Sequence, residues 1–505
     1  MPLPRPGKTQ WPPAANTATQ RRYEELSAWF AGDPETLSDL YGGARGSIPD
    51  VRYRVGQFRG GLVGTVSRWF WGAPPPTGEL RSKAHIPVAS DLATLSADLL
   101  FSEPPKVTFE DPGAQARADE ITDRAGVHAT FVEAAEVTAA LGDGWLTVAW
   151  DAETRDYPWI RPVHADSVVP EWGSGVLTAA TVWTVLESET GGPVWRHLER
   201  HEPGKILHGL YRGTASELGA SVDLASREET SRLVPETLTG ISRVLIVHVP
   251  NLRPNRLERW SLLGRSDFSP ATLGLMDSLD EVWTSLVREF RLAKARAVIT
   301  EDALRPLGPG RGATADIDRE IFVPLRVNPE TVTDPVRLIQ PLIRVDEHIR
   351  GATALLEQVC RSAGYTAASF GGTGSSSVAL TATEARQREV LSYRTRDKKA
   401  LYWAYGLREI FELLLAVDRE VFGTRTVEGR PTVELGDAVV ESTDTVAATL
   451  TQLTQARAAS TESKVRILHP SWDDGTVREE VERIYAEEGL GPVPDPEQVA
   501  RGEQS

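Results

Sequence analysis

The stretch from Thr383 to about Val421 reads as one helix of nearly forty residues, and it divides sharply by polarity. Its first half carries Arg386, Arg388, Arg394, Arg396, Lys398 and Lys399; its second half carries Leu401, Trp403, Leu407, Ile410, Phe411, Leu414 and Leu415. A helix polar at one end and apolar at the other has one end in water or against something acidic and the other in a core. Just before it runs Ser369-Phe370-Gly371-Gly372-Thr373-Gly374-Ser375-Ser376-Ser377-Val378. Gly and Ser supply backbone freedom and little core, so this segment is expected as a loop that faces something it must touch or let pass. Thr381 followed by Glu384 has the capping-box spacing that starts the helix.

Bulk chemistry narrows the classes. The chain has 505 residues, 40% hydrophobic and 25% charged, which suits a globular protein of two to four domains. No apolar run reaches the ~18–20 residues of a membrane span, and Met1–Pro6 lacks the apolar core of a signal peptide. The single cysteine, Cys360, excludes an intrachain disulfide and a cysteine zinc site, and reads as a small buried side chain on a helix. A net charge of −16 should repel nucleic acid except where positive charge is placed locally.

In chain order, residues 1–18 are Pro- and Ala-rich and read as a flexible arm. Helices follow at Thr19–Phe30 and Pro34–Tyr41, then from Ser90 or Asp91 to Pro104-Pro105, and over Ala114–Ala140. Trp145–Trp150, Trp159–Val163, Thr178–Leu186, Val194–Glu202, Ile206–Tyr211 and Arg243–Val249 are short, β-branched or aromatic, and turn-bounded, which predicts an antiparallel meander. Asn251–Leu263 is an Arg-rich loop. A helix then carries the stripe Leu275, Leu279, Val282, Leu286, Phe290 and Ala293 to about Ile299. Its acids come early and its cations Arg288, Arg291, Lys294 and Arg296 late, as the helix dipole favours. A Pro/Gly-rich excursion, Thr300–Leu342, separates it from a second helix, Arg344–Ala363, stopped by Gly364. A short strand at Thr432–Leu435 and helices at Thr443–Ala459, after Ser460 and at Asp473–Glu488 finish the ordered chain; 489–505 reads as a flexible tail.

The catalytic signatures looked for are missing. Pro306–Gly312 is Gly-rich but lacks the Gly-Lys-Ser/Thr ending and follows a helix, so it is no phosphate loop. His197 and His201 are expected on one face of a strand, in an order that does not match a zinc-protease helix. His85 has no partner nearby in sequence and reads as a structural histidine. No catalytic residue, metal ligand or cofactor site is assigned.

Four stretches together carry a resemblance. They are His85–Pro105; Gly264–Ser269 with Met276–Trp283 and Lys294-Ala295-Arg296; Ala363-Gly364-Tyr365, Phe370-Gly371 and Thr381–Glu384; and Ala459-Ser460 with Val477–Glu488. In that order the chain resembles the portal proteins of tailed phages, in particular the SPP1-type portal family common among phages of actinobacteria. The resemblance implies an α+β fold assembled as a ring, usually dodecameric, at one capsid vertex of the virion. It implies a wing over 19–263, a first stem helix over 264–299, a clip over 300–342 and a second stem helix over 343–364. A tunnel-loop region over 365–382, a long wing helix over 383–422 and a crown over 423–488 complete it. The expected partners are further copies of the chain, double-stranded DNA passing non-specifically, the terminase large subunit, head–tail connectors, and major capsid and scaffolding proteins. No membrane and no enzymatic activity are expected. Ser369–Val378 would be the wall that DNA passes, and Arg288, Arg291, Lys294 and Arg296 would face the duct or pair with neighbouring subunits. The need to close a ring favours pairing. Two other readings stay open: another phage structural subunit of capsid or tail, or a hydrolase or ATPase whose carboxylates meet only in space.

Overall fold

Among the described residues of the computed structural model the long helix is the longest element, and its apolar half is packed into a core. The structure describes residues 3–42, 83–188, 192–293, 296–300, 323–325, 336–339, 343–370, 382–436, 443–456, 458–469, 472 and 474–487. The chain divides into two units, one of residues 1–376 and 388–438, the other of residues 377–387 and 439–505.

In the first unit, β1 (Gly7–Gln10) leads to helices α1 (Thr17–Ala31), α2 (Pro34–Gly42) and α3 (Val88–Leu100). After β2 (Lys106–Thr108) come α4 (Pro112–Ala125) and α5 (Val127–Leu141). The sequence reading had one helix here; Gly126, at φ 61°, splits it and serves both ends. The strand region runs β3 (Asp143–Ala149), β4 (Trp159–His164), β5 (Val168–Gly173), β6 (Val176–Ser188), β7 (Val194–Glu202), β8 (Lys205–Gly213), β9 (Glu217–Val222), β10 (Glu236–Leu238) and β11 (Ile246–Pro250). It is antiparallel, but two sheets rather than one. β5 to β9 form a meander that β1 extends at the β9 edge and β10 joins on β8, while β3 pairs between β11 and β4.

The next elements are α6 (Pro270–Leu292), β12 (Arg296–Thr300), β13 (Val323–Leu325), β14 (Val336–Ile339), α7 (Val345–Ala363), α8 (Ala382–Phe422) and β15 (Thr432–Glu434). Ser269 caps α6 by accepting from the Thr272 N–H, with Pro270 in the first turn, where its missing donor matters least. The helix stops at Leu292, earlier than the apolar stripe suggested, because Arg296–Thr300 pairs with β13 and β14. The β-branched Val298, Ile299 and Thr300 suit a strand better than a helix end. β15 adds to β2.

Among the described residues, two large cores and a small one hold this unit. One gathers Trp29, Leu37, Leu92 and Trp145 with Leu273, Met276 and Leu279 of α6 and Val359 of α7. The other gathers Phe131, Leu146 and Val249 around Trp403, Leu407, Ile410, Phe411 and Leu414, the apolar half of α8. Gly406 lets that half approach β11 closely, since a Cβ there would lie 2.5 Å from a Val249 methyl. The N-terminal arm is docked rather than free. Trp11 is buried against Val169, Leu198, Tyr211 and Leu218, and the Tyr211 hydroxyl donates to the Pro4 carbonyl. A single aromatic anchor and a strand edge outweigh the arm's Pro-rich composition.

The second unit contains α9 (Thr443–Gln455), α10 (Thr461–Leu468) and α11 (Asp474–Glu487); Ser460 caps α10 by accepting from the Ser463 N–H. No helix among the described residues is long and apolar enough to cross a membrane.

Candidate functional site

Helices α6 and α7 form an antiparallel pair, fixed at both ends by side chains. At one end, the Thr272 and Ser362 hydroxyls lie 2.8 Å apart. At the other, Glu289 takes Arg344 at 2.6 Å and His348 at 3.1 Å. Hydrogen bonds from Arg344 and then His348 hold the Glu289 carboxyl down at about 2. The pair therefore opens at the Glu289 end into the chain that carries β12, β13 and β14. It opens at the Thr272 end into Tyr365–Phe370 and the Gly/Ser-rich segment.

Beneath that second opening lies a buried polar junction. Lys399 of α8 donates to Asp267 at 2.5 Å, Ser96 of α3 at 2.7 Å and Tyr365 at 2.8 Å. Asp267 also accepts from the Tyr365 hydroxyl at 2.9 Å and from Asn251 Nδ2 at 2.9 Å. The ammonium's three protons are thus all used, in a place where its side chain is 1% exposed and that of Asp267 is 0%. Burial pushes the Lys399 pKa down, opposed by Asp267, while burial and Asp267 push Tyr365 well up. Around it, Thr395 Oγ1 donates to the Gly364 carbonyl at 2.6 Å, and Ser392 Oγ meets the Thr366 N–H at 3.0 Å and the Ser369 hydroxyl at 2.9 Å. Gly364, at φ 96°, ends α7 and turns the chain into this cluster. The start of the small-residue segment is therefore clamped to α8, and α8 to α3 and to the lead-in of α6.

A second buried hub supports the same lead-in. Asp143 accepts from Tyr23 at 3.0 Å, His248 at 2.6 Å and the Gly264 N–H at 2.6 Å. His85, without a partner in the sequence reading, meets Asp280 of α6 at 2.7 Å from 195 residues away.

The residues singled out from sequence fall as follows. Ser369 and Phe370 end the clamp in a short 3-10 turn, and Gly371–Val378 lie outside the described residues. Arg288 and Arg291 are exposed near the end of α6. Lys294 lies outside the described residues, and Arg296 stands in β12 rather than on the helix. Lys399 and Arg396, read as part of a charged half in water or against something acidic, are buried, Lys399 against Asp267; Arg394 and Lys398 are exposed. Cys360 is buried, and burial pushes its thiol up to about 12, which suits packing and not nucleophilic chemistry. His197 stacks on His208 across the strand pair, with ring nitrogens 3.2 Å apart, while His201 meets Glu199 at 2.8 Å. Arg161 Nη2 donates to both oxygens of the same Glu199, at 2.8 and 2.9 Å, so that carboxylate already has a cation and a histidine on it. Among the described residues no group of three or more His, Cys, Asp or Glu is arranged to hold a metal ion.

Sequence reasoning missed Asp267, Lys399 and Tyr365. A signal was present: Lys399 continues the four-residue spacing of Trp403 and Leu407, which puts it on the apolar stripe.

No family model matches this chain, and no curated protein matches it. Solved structures of gene transfer agent (GTA) particles contain similar chains. One, from the neck of an empty GTA particle, is 13% identical with a TM-score of 0.39, covering 78% of this chain and 94% of that one. One from the virion of a native particle is 12% identical at 0.40, covering 80% and 98%. A third, from the neck of a native particle, is 13% identical at 0.37, covering 76% and 89%. Values this low assign no family.

Proposed function

We propose that this chain is a phage portal subunit, which forms a ring at one capsid vertex through which double-stranded DNA is packaged and ejected. The observation that carries the reading is the antiparallel α6–α7 pair. It opens at one end into an excursion with its own small sheet, and at the other, through a clamped joint, into a Gly/Ser-rich segment and a 41-residue helix. That order of parts is the one the sequence resemblance to SPP1-type portals implies. The α6–α7 pair would be the stem and residues 300–342 the clip that docks the terminase motor and then the head–tail connectors. Ser369–Val378 would be the tunnel loop and residues 423–488 the crown. The ring would be dodecameric, seated among major capsid and scaffolding proteins in the virion.

The chemistry of such a duct is chiefly a matter of not binding. Each phosphate neutralised by a fixed cation strengthens retention of DNA. Ser369–Val378 holds no charged residue, on a chain of net charge −16. Contact there would be steric and by weak hydrogen bonds to Ser and Thr hydroxyls, with the loop's root held on Ser392 and Thr395. Arg288 and Arg291, exposed at the clip end of α6, would serve neighbouring subunits, with Lys294 and Arg296 beyond them.

Negative-stain microscopy and mass spectrometry of purified particles test the reading. A turbine-shaped ring with an axial hole of about DNA diameter, and the chain in the virion, are expected; absence of the chain from purified virions would sink the proposal.

A further inference from the structure

Between β11 and α6 the chain makes a loop, Asn251–Arg265, built from the inside out. Asn251 and Asn255 are its buried braces. Asn251 Nδ2 donates to the Arg265 carbonyl at 3.0 Å as well as to Asp267, and Asn255 Nδ2 donates to the Gly264 carbonyl at 3.0 Å. Asn255 Oδ1 accepts the Leu257 N–H at 3.1 Å, the Arg265 N–H bonds the Leu252 carbonyl at 2.9 Å, and Leu252 is buried. A loop fixed this firmly sets the main-chain positions from which its outward side chains project, so the backbone need not be ordered afresh on binding.

What it holds outward is unusual for an acidic chain. Arg253, Arg256 and Arg259 are exposed, with Glu258 between them, and Trp260 is 91% exposed. Among the described residues none of these three arginines makes an ion pair or a side-chain hydrogen bond. Arg265 lies close enough to Arg256 to feel its charge, and its Nε is buried with no acceptor. Asp267, whose charge reaches Arg265, already serves Lys399, Tyr365 and Asn251. Burial, with Arg256 beside it and Asp267 opposing, pulls the Arg265 pKa down, as expected where cations outnumber the carboxylates free to pair with them.

We propose that the Asn251–Arg265 loop is a docking site for the phosphate backbone of nucleic acid. Four guanidinium groups and no lysine favour oxygen-rich planar acceptors, which the fork of N–H donors meets two at a time. The indole of Trp260 offers a flat apolar face for a sugar or an end base beside those phosphates. A carboxylate-bearing protein surface would satisfy the charge, but spaced phosphates supply several acceptor oxygens per unit and suit arginines spread over thirteen residues. The inference stands apart from the channel reading, since it concerns a charged loop and not the uncharged tunnel segment.

The test is fluorescence anisotropy of a labelled 30-base-pair duplex with the full chain in about 50 mM salt, where binding to phosphates is strong. R253A/R256A/R259A should weaken binding about tenfold or more. R232A/R350A/R425A, which removes three exposed arginines elsewhere, should change it less than about twofold. The slope of log K against log salt should shrink by nearly three with the loop variant, about 0.9 for each phosphate no longer neutralised. W260A should weaken binding with the slope unchanged. The proposal is overturned if the duplex does not bind the unaltered chain, or if both triple variants weaken it equally. It is also overturned if polyglutamate binds the loop, by the same variant, while the duplex does not.

Discussion

Replacing Lys399 by Met keeps most of the side chain's length and removes its charge, and the structure sets what that should do. The ammonium is 1% exposed and makes three hydrogen bonds of 2.5–2.8 Å. Without it, the Asp267 carboxylate keeps only neutral donors, the Tyr365 hydroxyl and the Asn251 amide, in a site closed to water. Breaking a buried pair from one side costs about 3–5 kcal/mol, because the remaining charge is uncompensated. That is a large part of the ~5–15 kcal/mol that holds a folded domain together. Adding D267N removes the stranded charge, so K399M/D267N should be more stable than K399M, with a coupling of about 2 kcal/mol or more. Urea unfolding followed by tryptophan fluorescence measures all four corners of the cycle. A loss under about 1 kcal/mol for K399M, or strict additivity in the double variant, would refute the view that this pair is closed and fully engaged.

Three further outcomes follow from particular contacts. Glu289 has a folded pKa of about 2, below the usual carboxylate value, so its tie between α6 and α7 is fully present above about pH 4.5 and is lost as pH falls toward 2; the urea midpoints of the chain and of E289Q should differ at pH 6 and converge near pH 2. Burial lowers His208 to about 4, with Glu199 opposing, so the unfolded chain takes up a proton first. Stability should be full above pH 6.5 and drop by on the order of 2 kcal/mol toward pH 4, a loss that H208L should remove in the same urea titration. Gly406→Ala gains about 1 kcal/mol of helix propensity but drives a methyl into Val249, so a net loss of about 1–2 kcal/mol is expected in thermal or urea melts, partly restored by V249A.

How far the sequence discloses this molecule depends on the range of the signal. The helices and most of the meander were legible because 3.6- and 2-residue periods are local. Gly364 and Ser460 likewise marked helix ends by local chemistry. Strands β1, β9 and β10 gave weak patterns, since β1 is polar and Gly-containing and exists only because a distant edge accepts it. The end of α6 was misplaced because its apolar stripe continues into residues that a sheet claims. The polar junction could not be read as a unit: Ser96, Asp267, Tyr365 and Lys399 come from four separate parts of the chain. Spacing marks Lys399 alone as belonging to an apolar stripe, and only packing shows that the four share one dry space.

The docked arm has a consequence for how the chain is made. Trp11 and β1 are made before the socket that holds them, which includes Leu218, and before their pairing partner, Glu217–Val222. During translation the arm must wait for some two hundred residues, and once β9 appears that edge stays open until the arm returns to it. The strand that covers the β9 edge is thus made before every other strand of that sheet. A tag or fusion placed directly before residue 3 would burden that closing step more than any other on the sheet.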